Sequence, residues 1–207
     1  MVSMKPLATV IGDVVGSRNA TDRVAVHSAL SAALDRANRQ WEPLVPFRIT
    51  VGDEYQGGFE SLGAALAASL RVRLLLLPEV DVRQGLGWGS ITVLSEEPRV
   101  EDGPGWWAAR EAIEVVSGRG PQRTAYRRAD EIGPDPLPVN AALTTCDALV
   151  AAASPRSVGV LRGLLAGMSQ REIAEAEGIS PSAVSQRIRR DGLGAIVAAD
   201  SLLGRLR

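Results

Sequence analysis

Apolar positions fall into short β-branched runs and longer stripes of helical period, and the two patterns alternate along the first half of the chain. Leu7–Gly12 is a short apolar run ending at Gly-Asp and predicts a buried strand. Thr21 or Asp22 is placed to cap the helix that follows, in which Leu30 and Leu34 share a face and which must stop before Pro43. Phe47–Gly52 alternates as a strand does, and Tyr55–Phe59 reads as its hairpin partner with Gly52-Asp53 near the turn. Ser61–Leu77 is an Ala/Leu-rich helix ended by Pro78. Val82–Val93 predicts a strand punctuated by glycines, which implies close approach of backbone or ligand. "DGPGWWAAREAIEVV" opens with a turn and becomes helical near Trp106. The order is the βαββαβ plan of a ferredoxin-like sheet with helices on one face, a mixed α/β (α+β) fold. The second and third strands are joined too tightly for a crossover, which argues against a doubly wound parallel sheet.

The pattern changes at residues 118–138, which are rich in Gly, Pro and Arg and hold at most one short strand, around Thr124–Arg127. This places a first domain at 1–118, a linker at 119–138 and an all-helical domain at 139–207. Helices are expected over Val139–Ala153 and over Pro155–Ala166, where Val158, Leu161 and Leu165 share a face. "SQREIAEAEGISPSAVSQRIRRDG" then predicts two short helices, Ser169–Glu177 and Ser180–Asp191. Ser169 caps the first with Glu172 in the capping-box position, Gly178 permits the turn, and Ile179 plugs the core. Ser180 caps the second with Pro181 at its first position. Val184 and Ile188 face inward, which leaves Ser182, Ser185, Gln186 and Arg189 on the opposite side, flanked by Arg187 and Arg190. Such a set suits base edges and phosphates in a major groove. The alternative is a helical hairpin that only packs or dimerises. The stretch resembles the helix-turn-helix of sigma-factor region 4 and related bacterial regulators, which implies double-stranded DNA as a partner. A single such module binds weakly, so a homodimer is expected.

Composition narrows the classes. A hydrophobic fraction of 45% supports a packed core, and the single cysteine, Cys146, excludes an internal disulfide and fits a reducing compartment. The longest apolar stretch, "LAASLRVRLLLL", is broken by Arg71 and Arg73, and the N-terminus lacks a signal-peptide pattern. A cytoplasmic, membrane-free protein is expected. The net charge of −1 excludes little by itself, although residues 136–207 carry a slight basic excess. His27, the only histidine, is expected to be exposed or packed on a helix, and Cys146 to be a small core residue.

Two apparent strands end in Gly-Asp, at "VIGDVVGS" and "TVGDEYQG". Carboxylates at neighbouring strand ends repel unless a cation lies between them, and such pairs in an open cleft suit Mg2+ held against phosphates. The candidate site is therefore Asp13 and Asp53 as metal ligands, with Glu54 as a third carboxylate. The amides of Val14, Val15, Gly16 and Ser17 form the candidate anion cradle. The competing reading makes both aspartates turn residues.

These blocks resemble the SatD family and, more distantly, class III nucleotidyl cyclases and the palm of GGDEF proteins. "IGDVVGSR" resembles the cyclase strand ending in the first metal Asp, and "TVGDEYQG" the hairpin bearing the second. "VRQGLGWGSI" followed by "DGPGWWAAREAI" resembles the Arg-x-Gly-hydrophobic-x-x-Gly strand and the later helix carrying an Asn and an Arg. The resemblance implies Asp13 and Asp53 on Mg2+, Arg110 on the phosphates, and a bound nucleotide, most simply a purine nucleoside triphosphate. Trp106 stands where cyclases have the Asn, and Ile49 where adenylyl cyclases select the base with Lys. An indole donates one hydrogen bond in a different geometry, so nucleotide binding is implied where cyclisation is not. Trp106 and Trp107 are candidates for stacking on a base, with core packing as the alternative for both and for Trp88. Three functions compete: a nucleotide-modulated transcriptional regulator, an enzyme that cyclises or condenses nucleotides, and a DNA-binding protein whose first domain only dimerises.

Overall fold

The central strand, β1 (Leu7–Val14), is apolar on both faces because both are covered. A computed structural model describes residues 5–17, 22–97, 99–118 and 120–207. In it β1 is followed by α1 (Arg23–Trp41), β2 (Val45–Val51), β3 (Glu54–Phe59), α2 (Leu62–Leu76) and β4 (Val82–Gly89). Asp22 caps α1 by accepting from the Ala25 amide at 2.8 Å, while Thr21 lies outside the described residues. β1 runs antiparallel to both β3 and β4, and β2 antiparallel to β3, which is the ferredoxin-like arrangement expected.

Beyond β4 the expectations need correcting. The predicted strand Val82–Val93 stops at Gly89, and a separate hairpin follows, β5 (Thr92–Glu96) and β6 (Arg99–Asp102). Helix α3 (Pro104–Val115) does not join α1 and α2 on their face of the sheet. Leu30, Leu34, Leu62, Leu66 and Val72 of those two helices pack on Ala8, Val10 and Leu86. Trp106, Ala109 and Ile113 of α3 pack on Leu7 and Ile11 from the other side. The β4 glycines explain the fit: a methyl on Gly85 would overlap the Ala109 carbonyl, and one on Gly87 the Gly105 carbonyl. The close backbone approach implied by glycine in a strand is thus made by α3.

The stretch expected to be a linker is built into the sheet. It supplies β7 (Thr124–Arg128), parallel to β4, and the start of α4 (Pro136–Ala152), so the five strands run β2-β3-β1-β4-β7. Each edge strand is closed by an asparagine from a helix. Asn38 of α1 accepts from the Phe47 amide at 2.7 Å and donates to its carbonyl at 2.9 Å. Asn140 of α4 does the same for Tyr126, at 2.8 Å in both directions. Side-chain amides thereby take the place of a further strand.

Four helices complete the chain: α5 (Pro155–Leu165), α6 (Gln170–Glu177), α7 (Pro181–Arg190) and α8 (Leu193–Leu203), the last not foreseen. Their core includes Leu74 of α2, so α2 serves the sheet layer and the C-terminal helices alike. Arg71 of α2 pairs with Asp200 of α8, and Arg162 of α5 donates to the Leu74 carbonyl at 2.6 Å and to that of Leu77. Among the described residues no helix is long and apolar enough to cross a membrane.

The β4–α3 contact makes a sharp expectation. Gly87→Ala forces backbone apart and lowers unfolding free energy by about 1–3 kcal/mol. Gly118→Ala, which meets nothing within 4 Å, stays within about 0.5 kcal/mol of the parent in urea titrations.

Candidate functional site

The two Gly-Asp stretches meet at one end of the sheet. Gly12 lies opposite Tyr55, whose ring occupies the space a Cβ would need, so the glycine before Asp13 serves packing. Gly52 has φ of +65°, a backbone conformation that favours glycine, and turns β2 into β3. Val14 donates its amide to Asp53 Oδ2 at 3.2 Å, which ties the end of β1 to the hairpin.

Two of the carboxylates here, Asp13 and Glu54, each carry a guanidinium. Asp13 faces Arg83 directly across β1 and β4, and Arg83 donates Nε to Oδ1 at 2.9 Å and Nη2 to Oδ2 at 2.7 Å. Its Nη1 reaches the Ser117 carbonyl at 3.2 Å. Glu54 receives both Nη atoms of Arg110 from α3, at 2.7 and 2.8 Å. The hydrogen bonds from Arg110 hold the Glu54 carboxyl below the usual carboxylate range, and Glu54 in turn raises Arg110. Glu54 is therefore not a third ligand beside Asp13 and Asp53 but the partner of Arg110. Among the described residues no group of three His, Cys, Asp or Glu is gathered to hold a metal.

Asp13 and Asp53 still fit Mg2+ as a donor set. Both offer hard carboxylate oxygens, and Asp13 uses only one hydrogen bond per oxygen. An open cleft lies alongside, lined by Ser17, Arg23, His27, Gly52 and Asp53 with Val24, Val26 and Leu30. His27 is exposed there, as expected.

Other site residues need correcting. Of the four cradle amides, Val14 is taken by Asp53 and Val15 by the Asp81 carbonyl at 2.8 Å, while Ser17 lines the cleft. Trp106 is only 7% exposed and packs in the α3 core, so it offers no face to a nucleotide. Trp107 is 57% exposed, with Nε1 on Asp102 at 2.8 Å. Arg83 went unforeseen as a site residue. The available signal was the one charged residue of β4, the Arg of the Arg-x-Gly stretch, directly opposite Asp13.

The second candidate surface is α7. The Ser169–Glu172 capping box, the positive φ of +62° at Gly178 and the Ser180 cap are all present. Val184 is buried and Ile188 packs inward, while Ser182, Gln186 and Arg189 are exposed and Ser185 is half-buried. Arg187 is turned away from solvent phosphates: its Nη1 donates to Ser154 Oγ at 3.2 Å and Ser157 Oγ at 3.1 Å. Arg190 is paired with Asp191 at 2.6 Å on the surface. Cys146 packs half-buried against this helical core, and burial pushes its thiol up to about 11.

The model of the SatD family matches residues 7–199. No curated protein matches the chain. Solved structures that the chain is similar to include the catalytic core of a rhodopsin-guanylyl cyclase with converted specificity, in complex with ATPalphaS. It has 18% identity and a TM-score of 0.47 over 55% of this chain and 74% of that one. The monomeric guanylyl cyclase domain of the RhoGC fusion protein from the aquatic fungus Blastocladiella emersonii matches at 16% identity and TM-score 0.48, over 55% and 77%. A bacterial light-regulated adenylyl cyclase matches at 14% identity and TM-score 0.49, over 61% of this chain and 44% of that one.

The Glu54–Arg110 pair sets a pH expectation. A carboxyl held below its unfolded pKa adds stability that is complete above about pH 5 and is lost as pH falls through the folded value. Wild type should lose up to roughly 1 kcal/mol more than Glu54→Gln between neutral pH and about pH 3, a size typical of a partly exposed pair. Parallel urea-stability curves for the two proteins would show the pair to be energetically silent.

Proposed function

The chain belongs to the SatD family, and we propose that it binds a nucleoside triphosphate with Mg2+ at the β1 and β3 ends and, as a homodimer, presents α7 to DNA under control of that ligand. One observation carries the nucleotide reading. Asp13 and Asp53 meet where β1 ends against the β2–β3 turn, Arg83 rests on Asp13 and Arg110 on Glu54, and Asp53 lines an open cleft. A polyphosphate with its cation is the ligand that satisfies both signs at once. The phosphates accept from Arg110 and Arg83, and the carboxylates of Asp13 and Asp53 hold the metal. Mg2+ would supply charge neutralisation there. Gly16 and Ser17 add amides at the cleft mouth. The purine preference comes from the cyclase resemblance of the sequence.

Binding is favoured over turnover. Trp106, in the place of the Asn that would orient an attacking ribose, is buried in the α3 core and cannot reach a sugar. For DNA, the exposed Ser182, Gln186 and Arg189, with half-buried Ser185, form the recognition face, and Arg190 lies at its end. Arg187 is left out of that set because Ser154 and Ser157 hold it.

Thermal stability against ATP, GTP, CTP and UTP with Mg2+ tests the ligand. A bound triphosphate at a hundredfold excess over Kd stabilises by about 2.7 kcal/mol, and Asp13→Ala or Asp53→Ala abolishes the gain. Pyrophosphate is not released. No stabilisation by any triphosphate would overturn the reading.

DNA selected from a random pool tests α7. Arg189→Ala weakens binding and lowers the slope of log affinity against log salt by about 1, as loss of one phosphate contact does. Arg187→Ala leaves the slope unchanged. If no sequence is enriched above the starting pool, α7 is a packing helix.

A further inference from the structure

We propose that Arg73 is a positioning residue through which the state of the strand-end site reaches the C-terminal helices. The inference rests on the ligand site proposed above and adds a route by which that site is read. Arg73 lies in α2 with its side chain only 2% exposed. Its Nε donates to Asp81 Oδ1 at 2.7 Å and its Nη1 to Asp147 Oδ1 at 2.7 Å. One planar, rigid group thus joins two carboxylates from distant parts of the chain.

Asp81 is the end of this link nearest the site. Its carbonyl accepts from the Val15 amide at 2.8 Å, and Val15 lies two residues beyond Asp13. Its Oδ1 also accepts from the Val82 amide at 3.0 Å, and Val82 precedes Arg83, the partner of Asp13. Both halves of the Asp13–Arg83 pair therefore lie within two residues of a position anchored on Asp81. If phosphate replaces Asp13 as the acceptor of Arg83, those anchors shift, and the Asp81 carboxylate shifts with them.

Asp147 is the far end. Its Oδ2 accepts from the amides of Arg123 and Thr124, both at 2.7 Å, at the start of β7. Arg123 closes the ring by donating Nε to Asp81 Oδ2 at 2.8 Å. Asp147 belongs to α4, which packs on α8, and α8 packs on α7. Arg73 and Asp147 are nearly sealed from solvent, at 2% and 6% side-chain exposure, so when the partly exposed Asp81 carboxylate is displaced Arg73 finds little water in its place. Arg73 must follow it or leave charge unpaired, and the second course is the costlier.

Amide hydrogen exchange by NMR on the full chain tests the route without requiring a ligand. Asp13→Asn releases Arg83. It should speed exchange of the Arg123 and Thr124 amides by about tenfold relative to amides of α1, which report global stability. In the Arg73→Lys background, where one ammonium cannot fork between Asp81 and Asp147, the same substitution should leave Arg123 and Thr124 unchanged. Equal rates at Arg123 and Thr124 in wild type and Asp13→Asn overturn the proposal, and so does an effect that persists in Arg73→Lys. If Arg73→Lys fails to fold, the wild-type comparison decides. Mg2+ with ATP, added to wild type, should move the same two amides. A ligand that binds, as read by melting temperature, and leaves them still overturns the route. Absence of binding together with a positive Asp13→Asn result overturns the ligand reading and supports the route.

Discussion

Arg73 brings a full positive charge into the middle of the molecule, and the way α2, β7 and α4 meet follows from how that charge is satisfied. Removing a guanidinium from water costs several kcal/mol unless carboxylates and hydrogen bonds replace the solvent. Asp81 and Asp147 supply the carboxylates, and a second cation, Arg123, balances the pair. Burial pushes the Asp147 carboxyl up, against the pull of Arg73 and two backbone amides. Such a cluster is weak evidence for net stability, since apolar residues of the same shape often do as well. Its consequence is geometric. α2, the turn before β4, the start of β7 and α4 must meet at one point with the correct donors facing the correct acceptors.

That constraint accounts for the join between sheet and helices. α4 places Asn140 and Asp147 seven residues apart, two turns along one face, and both engage the backbone of β7. Asp147 takes the amide of Thr124, and Asn140 takes both groups of Tyr126. A helix pinned this way along an edge strand has little freedom to slide. Asn38 closes the opposite edge at Phe47 by the same chemistry, so the sheet is finished by side chains at both ends.

Local signals were legible in the sequence and long-range pairings were not. The Asp22 alternative for the α1 cap, the Ser169 and Ser180 caps and the tight turn at Gly178 depend on residues within four positions of one another, and all are present, as is the βαββαβ order read from the hydrophobic runs. The side of the sheet taken by α3 was not readable, because its cause is the contact of Gly85 and Gly87 with helix backbone more than 15 residues away. The Gly/Pro/Arg composition of 118–138 suggested a linker, whereas Arg123 and Thr124 there are fixed by Asp147. At the site, the two strand-end aspartates were visible, but their neighbours' partners were not. Glu54 looked like a ligand until Arg110, 56 residues away in sequence, took both of its oxygens. Arg187 looked like a DNA contact because helical periodicity shows where a side chain starts and not where a long one ends. Its guanidinium reaches back to Ser154 and Ser157.

The ties between sheet and helices limit how the proposed ligand could act on α7. A hinge needs a few residues free to change backbone angles, and the irregular stretch 129–135 between β7 and α4 is tied by Arg128 on the Gly133 carbonyl, by the Tyr126 hydroxyl on the Pro134 carbonyl and by the Asp135 cap of α4. Arg71–Asp200 and the two carbonyl contacts of Arg162 add further ties between α2 and the helices of the C-terminal core. A ligand at the strand ends therefore cannot swing α7 as a detached module. It can only bias small displacements within a packed body. Such displacements matter where the contacts are directional and largely buried, as they are between Arg73 and Asp147, and fade where apolar side chains can slip. The buried ionic cluster that makes the two parts one body is for the same reason the place where a change at Asp13 would be felt on the far side.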